Sequence, residues 1–180
     1  MALRIYLSGS VRKGATDDRP SEHYWTDDDE ERIRAGLRPH EVTLLNPQKS
    51  GVDRSDPKAN FGCDLYLVET SNVVLVDART KKGIGIGAEM MFACARNIPT
   101  ITIAPKHSHY RQALVRNLFG EDVRDWTHPF VLGLSDYVVE SLTESIELLK
   151  RHVTLGSLPL TKNIDEAIEY YRRSQGSHAI

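Results

Sequence analysis

The most restrictive stretch of this chain is Val73-Val74-Leu75-Val76, four aliphatic residues in a row that end at Asp77. A strand with one wet face alternates apolar and polar residues. An unbroken run suits a strand covered on both faces, the habit of parallel sheets flanked by helices. Four further strands are expected at 3–8, 42–45, 100–104 and 130–132. Helices are expected between them: one capped by Thr26 with Asp27, Asp28 and Asp29 in its first turn, one over about 60–71 with Leu65, Leu67 and Val68 inward, then 88–96 and 109–119. The spacing of Val138, Leu142, Ile146 and Leu149 predicts a long amphipathic helix over 135–152. Asn163 with Glu166 three residues on marks a last helix, about 163–173.

Strand–helix alternation of this kind reads as one α/β domain over residues 1–180, with the C-terminal helix as an appendage. The expected fold is a doubly wound, flavodoxin- or Rossmann-like five-stranded parallel sheet with flanking helices. Ligands of such sheets bind beyond the carboxyl ends of the strands, which singles out residues 8–14, 77–89 and 104–110.

Composition narrows the function by exclusion. An apolar content of 40% argues against disorder, and no run approaches the ~18 apolar residues of a membrane span. A net charge of −2 argues against a polymeric nucleic acid as partner. Two cysteines, Cys63 and Cys94, supply neither a disulfide framework nor a four-ligand zinc site, and read as small packed residues. The N-terminus runs straight into strand pattern without a signal sequence, so a cytoplasmic small-molecule enzyme or binder is expected.

Two loops carry the candidate chemistry. In Ser8-Gly9-Ser10-Val11-Arg12-Lys13-Gly14, glycines let the backbone approach a ligand, Ser10 offers a hydroxyl, and Arg12 and Lys13 offer charge. The loop suits a phosphate or carboxylate, with a plain strand–helix turn as the bland alternative. It lacks the Gly-Lys-Ser/Thr of a nucleotide-triphosphate loop. The second loop, Asp77 to Glu89, contains Gly83, Gly85 and Gly87, spaced as if the backbone must bend and admit something close. As a dinucleotide fingerprint it is misplaced, in the third strand–helix unit and without the ribose-binding acid about 20 residues on.

Glu89 follows those glycines at the expected start of a helix, where the dipole should keep it ionised. It is then equipped to attack a carbon or to stabilise a cationic transition state, or merely to stabilise its own helix. Asp64, near the expected start of its helix, and Asp77, at the end of the central strand, are further carboxylates. Two of them flanking one bond are the minimum set for glycoside chemistry. Tyr6 is placed to orient one of them or simply to pack. His107 and His109 lack a third ligand, so no metal is expected. Tyr24 and Trp25 read as a staple onto the following helix, with stacking on a ring as the alternative.

Three segments resemble the nucleoside 2-deoxyribosyltransferase superfamily, nearest its branch of 2′-deoxynucleoside 5′-phosphate N-hydrolases. They are Ile5 to Gly14, Asp64 to Val76, and Gly85-Ile86-Gly87-Ala88-Glu89 with its helix as far as Pro99. The resemblance implies an N-glycosidase or N-(deoxy)ribosyltransferase without metal or organic cofactor. Glu89 would attack the anomeric carbon, Asp64 would protonate the departing base, and Tyr6 would hold Glu89. The 5′ end of the sugar would lie against Gly9, Ser10, Arg12, Lys13 and Gly14, and Asp77, Gly83, Gly85 and Gly87 would complete the substrate site. A homodimer or higher oligomer is also implied. The chain departs from the pattern at Gly83, where relatives carry Ser or Asp, at Ala88, where they carry an aromatic, and at Met90, where they carry Gly. Arg79, Lys81 and Lys82 are then candidates for the missing phosphate contact. A catalytically silent nucleotide-sensing module using the same pocket is the alternative reading.

Overall fold

The computed structural model describes residues 2–14 and 16–175. Its centre is a five-stranded, wholly parallel sheet made of β1 (Leu3–Ser8), β2 (Val42–Leu45), β3 (Val73–Asp77), β4 (Thr100–Ile103) and a three-residue strand at Tyr137–Val139. Their order is β2-β1-β3-β4 and then Tyr137–Val139, the flavodoxin-like arrangement expected from sequence. Every residue of β3 is buried. Val73 and Leu75 pack on one face with Ile33, Leu37, Ile146 and Leu149. Val74 and Val76 pack on the other with Tyr6, Val68, Ile86 and Met90. The unbroken apolar run thus serves two separate cores, one under each helical layer.

One layer holds α1 (Asp27–Gly36) and a helix at Leu142–Leu155, and the other holds α2 (Pro57–Glu69) and α3 (Ile84–Ala95). Thr26 caps α1 as expected, its hydroxyl accepting from Asp29 N–H while Asp29 reaches back to the Thr26 N–H. Asp56 caps α2, so that helix begins at Pro57 and Asp64 sits mid-helix rather than near its start. The helix α3 begins at Ile84, four residues earlier than expected. The glycines form its first turn, and Glu89 lies in its second.

Three expectations in the C-terminal half fail. Residues 109–119 are not a helix but lead into a hairpin, β5 (Arg111–Leu118) with β6 (Glu121–Thr127). Left-handed backbone at Asn117, Phe119 and Gly120 makes its turn, a signal that helical periodicity obscured. Residues 130–132 belong to a short helix, α4 (Pro129–Leu134), with Pro129 in its first turn. The fifth strand is β7 (Tyr137–Val139), and the long helix, α5 (Leu142–Leu155), starts only after the Ser141 cap. Val138 therefore lies in a strand. Asp136 fixes that junction by accepting from Thr100 N–H, Thr161 N–H and Lys162 Nζ.

The last helix is α6 (Ile164–Gln175), with Asn163 Oδ1 accepting from Glu166 N–H as its cap. Among the described residues no helix is long and apolar enough to cross a membrane.

Candidate active site

A cavity of about 710 Å³ opens at the carboxyl end of β1, between that strand's loop, α2 and the start of α3. Glu89 is on its wall, with 7% of the residue exposed. Alternation along β1 points Tyr6 and Ser8 to the same side of the sheet. There the Ser8 hydroxyl donates a 2.5 Å hydrogen bond to Glu89 Oε2. Burial pushes the Glu89 carboxyl up to about 7. The Ser8 bond opposes that rise and the charge of Asp64 adds to it. The expectation of a fully ionised, dipole-stabilised Glu89 is corrected accordingly: in the second turn of α3 desolvation outweighs the dipole, which fades beyond the first turn.

Asp64 lines the same cavity, and burial raises its pKa while nearby Arg54 lowers it. Its Oδ1 is shut off from water with no hydrogen-bond partner. The Tyr6 hydroxyl is likewise buried without a bond of good geometry. Burial, then the charges of Glu89 and Asp64, make that phenol harder to ionise. Ser8 makes the well-formed bond to Glu89, and the Tyr6 hydroxyl lies close enough to lower the Glu89 pKa as well.

The β1 loop supplies Gly9, Ser10, Arg12, Lys13 and Gly14 to the cavity, as expected. Gly9 is required sterically, because a Cβ there would sit 2.9 Å from the Trp25 ring. The Trp25 indole is buried and its Nε1 donates to the Ser8 carbonyl at 3.0 Å, which ties the segment after the acidic stretch to the end of β1. Arg12 stacks on Tyr24 with its guanidinium 4.8 Å from the ring centre. Among the described residues neither the Arg12 nor the Lys13 side chain pairs with a carboxylate, while the Lys13 backbone N–H donates to Asp17 Oδ2 at 2.8 Å.

Gly83 and Gly85 also line this cavity, whereas Gly87 lines a neighbouring one. Asp77 does not reach either. It is fully buried and accepts from Arg79 Nε and Lys82 Nζ at 2.8 and 2.7 Å. Arg79 continues to Asp29 through both terminal nitrogens. Arg79 and Lys82 are therefore spent on an internal ion network that pins the β3–α3 loop, rather than left over for a ligand. Lys82 also donates to the His23 carbonyl, and its burial pulls its pKa down against the attraction of Asp77.

Sequence reasoning placed Ser8 in the ligand loop without giving it a role, and passed over Arg19, Asn60 and Arg54 as site residues. The period of β1 would have flagged Ser8 beside Tyr6. Arg19 and Arg54 come from loops whose path no local pattern fixes. Arg19 pairs with Asp17 at 2.6 Å and Arg54 donates to Asn60 Oδ1 at 3.0 Å, so both cations are held at the cavity rim. Among the described residues no three His, Cys, Asp or Glu side chains converge as a metal site.

The fold has known counterparts. A conserved protein from Enterococcus faecalis V583 superposes with a TM-score of 0.61 at 20% identity, over 84% of this chain and 99% of that one. A 2-desoxiribosyltransferase from Leishmania mexicana superposes with a TM-score of 0.57 at 13% identity, over 83% of this chain and 98% of that one. The likeness is one of fold. No protein-family profile matches the sequence, and no curated protein matches it either.

Proposed function

We propose that the chain is an N-glycosidase or N-(deoxy)ribosyltransferase acting on a nucleoside or nucleoside 5′-monophosphate, with hydrolysis of the monophosphate as the preferred activity. The observation that carries this reading is Glu89: a buried carboxylate, bonded by Ser8, on the wall of a cation-rimmed cavity that also holds Asp64. The 2-desoxiribosyltransferase with the same fold lends it further support.

In the first step a Glu89 oxygen attacks the anomeric carbon while the bond from that carbon to the base nitrogen breaks. The released electron pair stays on the nitrogen, which takes a proton from Asp64. The product is a glycosyl ester on Glu89. In the second step water attacks the same carbon, Asp64 takes its proton, and Glu89 leaves as a free carboxylate, so configuration is retained. A second base in place of water gives transfer. Arg12, Lys13 and Arg54 suit a dianionic 5′ end, whereas Arg19 is already neutralised by Asp17. The reaction needs no metal or organic cofactor. A homodimer is proposed through α2 and α3, where Phe61, Tyr66 and Met91 are exposed. The proposed compartment is the cytoplasm.

The test is incubation with a panel of ribo- and deoxyribonucleosides and their 5′-monophosphates, with free base followed by chromatography. Release that disappears in Glu89→Ala is the expected result. No release from any member of the panel contradicts it and leaves the silent binding module.

A further inference from the structure

The helix α6 is loosely attached to the domain, and nothing in the proposed chemistry uses it. Every side chain from Asp165 to Ser174 is exposed, Ile168 and Tyr171 among them at 44% and 52%. Its approach is nonetheless fixed, because Thr161 N–H and Lys162 Nζ donate to Asp136. Beyond that point the helix stands off: Ala167 and Tyr170 share a cavity of about 560 Å³ with Leu132 and Val138.

A helix of 12 residues is marginal in water by itself and owes its stability to a covered apolar face. Such a face exists on α6. Ile164, Ile168 and Tyr171 follow one another at steps of four and three, the core spacing of paired helices. The charged residues keep to the rest of the circumference, with Arg173 opposite the stripe.

The residues beside the stripe identify what covers it. Asp165 and Arg172, seven apart, stand along one edge, and the small residues Ala167 and Ser174 stand along the other. In a parallel pair each edge meets the partner's opposite edge, so the charges would face Ala and Ser. In an antiparallel pair each edge meets its own copy reversed. Asp165 then faces the partner's Arg172, Arg172 faces the partner's Asp165, and the small edges come together. Ile168 packs on the partner's Tyr171, twice over. Reversal also sets the acidic first turn, Asp165 and Glu166, beside the basic last turn, Arg172 and Arg173. Arg172 pairs with Glu169 inside the helix, but with its side chain 67% exposed that contact holds it weakly.

We propose that α6 pairs antiparallel with α6 of a second copy of this chain. The contact is two-fold and closes on itself, separate from the α2–α3 surface proposed above. Two helices about 18 Å long bury less than the roughly 1,000 Å² of a lasting interface. The pairing is therefore weak alone, and acts at high concentration or between subunits already joined elsewhere. It does not depend on the glycosidase reading.

The test is disulfide trapping in the intact protein, read on a non-reducing gel after mild oxidation. Chains carrying Ile168→Cys are mixed with chains carrying Tyr171→Cys. Covalent dimer is expected well above that of either variant alone and of the native chain, whose Cys63 and Cys94 set the background. Arg173→Cys, on the opposite face, is expected to stay at background with either. Arg172→Asp introduced into both chains sets acid against acid and is expected to cut the trapping about fivefold or more. Arg172→Asp in one chain and Asp165→Arg in the other is expected to restore it. All these positions are exposed, so folding is not at stake. Trapping no greater in the mixture than in its components, or unmoved by the charge changes, overturns the proposal and leaves the stripe to residues 176–180 or to another protein.

Discussion

The Ser8 hydroxyl donates to Glu89 Oε2 at 2.5 Å, joining the last residue of the first strand to the second turn of α3. A donor to a carboxylate favours its charged form, so this bond holds the Glu89 pKa below where burial alone would put it. With Glu89 as the nucleophile, kcat/KM rises with pH through about 7 in the native protein. In Ser8→Ala that rise is expected at higher pH, with activity at pH 7 reduced about tenfold. A pH profile of base release checks this, and an unshifted limb would contradict it.

Stability should carry the opposite signature. The folded-state pKa of Glu89 lies above its ordinary value, so the folded state binds this proton more tightly than the unfolded state does. Stability on this account is full below about 4.5, falls as pH rises toward 7, and levels off above. The penalty at pH 8 is roughly 3 kcal/mol. Glu89→Gln is therefore expected to be more stable than the native chain at pH 8 and nearly equal at pH 4.5, by urea unfolding at the two pH values.

Arg12 is held over Tyr24 with no carboxylate to neutralise it among the described residues. Its removal in Arg12→Ala is expected to raise KM for 5′-monophosphates by about 10- to 100-fold, the worth of one charge-assisted hydrogen bond. Nucleosides without the phosphate should be affected far less. Steady-state kinetics on the paired substrates distinguishes the two cases.

Asp77 carries a different kind of consequence. Its loss in Asp77→Ala leaves Lys82, whose side chain is 1% exposed, as a buried cation without its partner. A cost of roughly 3–5 kcal/mol is expected in urea unfolding. A change no larger than that of a surface substitution would show that the network is dispensable.

Gly9→Ala tests the close approach of the β1 loop to Trp25. The added methyl would lie 2.9 Å from the indole ring and force it off the Ser8 carbonyl. A destabilisation of about 1–3 kcal/mol is expected, seen as a lower midpoint in thermal unfolding.

The central half of the fold was legible because its signals are local. The Val73–Val76 run reads as a doubly covered strand whatever surrounds it, and the Thr26 cap closes within three residues. The hairpin at Arg111–Thr127 was not legible, since Leu114, Val115 and Leu118 fit a helical spacing as well as a ribbon. What decides between them is the left-handed turn at Asn117–Gly120. The fifth strand was displaced for a similar reason. Phe130, Val131 and Leu132 have strand propensity, but the proline before them starts a helix, and Asp136 builds the strand junction through contacts with Thr100 and Lys162. At the site, residue identities were more readable than their states. Glu89 and Asp64 stand at one cavity, yet the ionisation of Glu89 depends on burial by α3 and on Ser8, 81 residues away in sequence. Asp77, read as a ligand contact, turned inward because two cations from its own loop reach it first.

The chain has only two tryptophans, and each packs in a different part of the molecule. Trp25 lies under the Arg79 guanidinium and bonds the β1 end, while Trp126 meets the His128 ring edge-on at 5.9 Å. Intrinsic fluorescence is thus divided between two reporters, one at the end of β1 and one in the β5–β6 hairpin. Single-tryptophan variants would therefore separate loosening of the β1 end from loosening of the hairpin within one unfolding experiment, without a label.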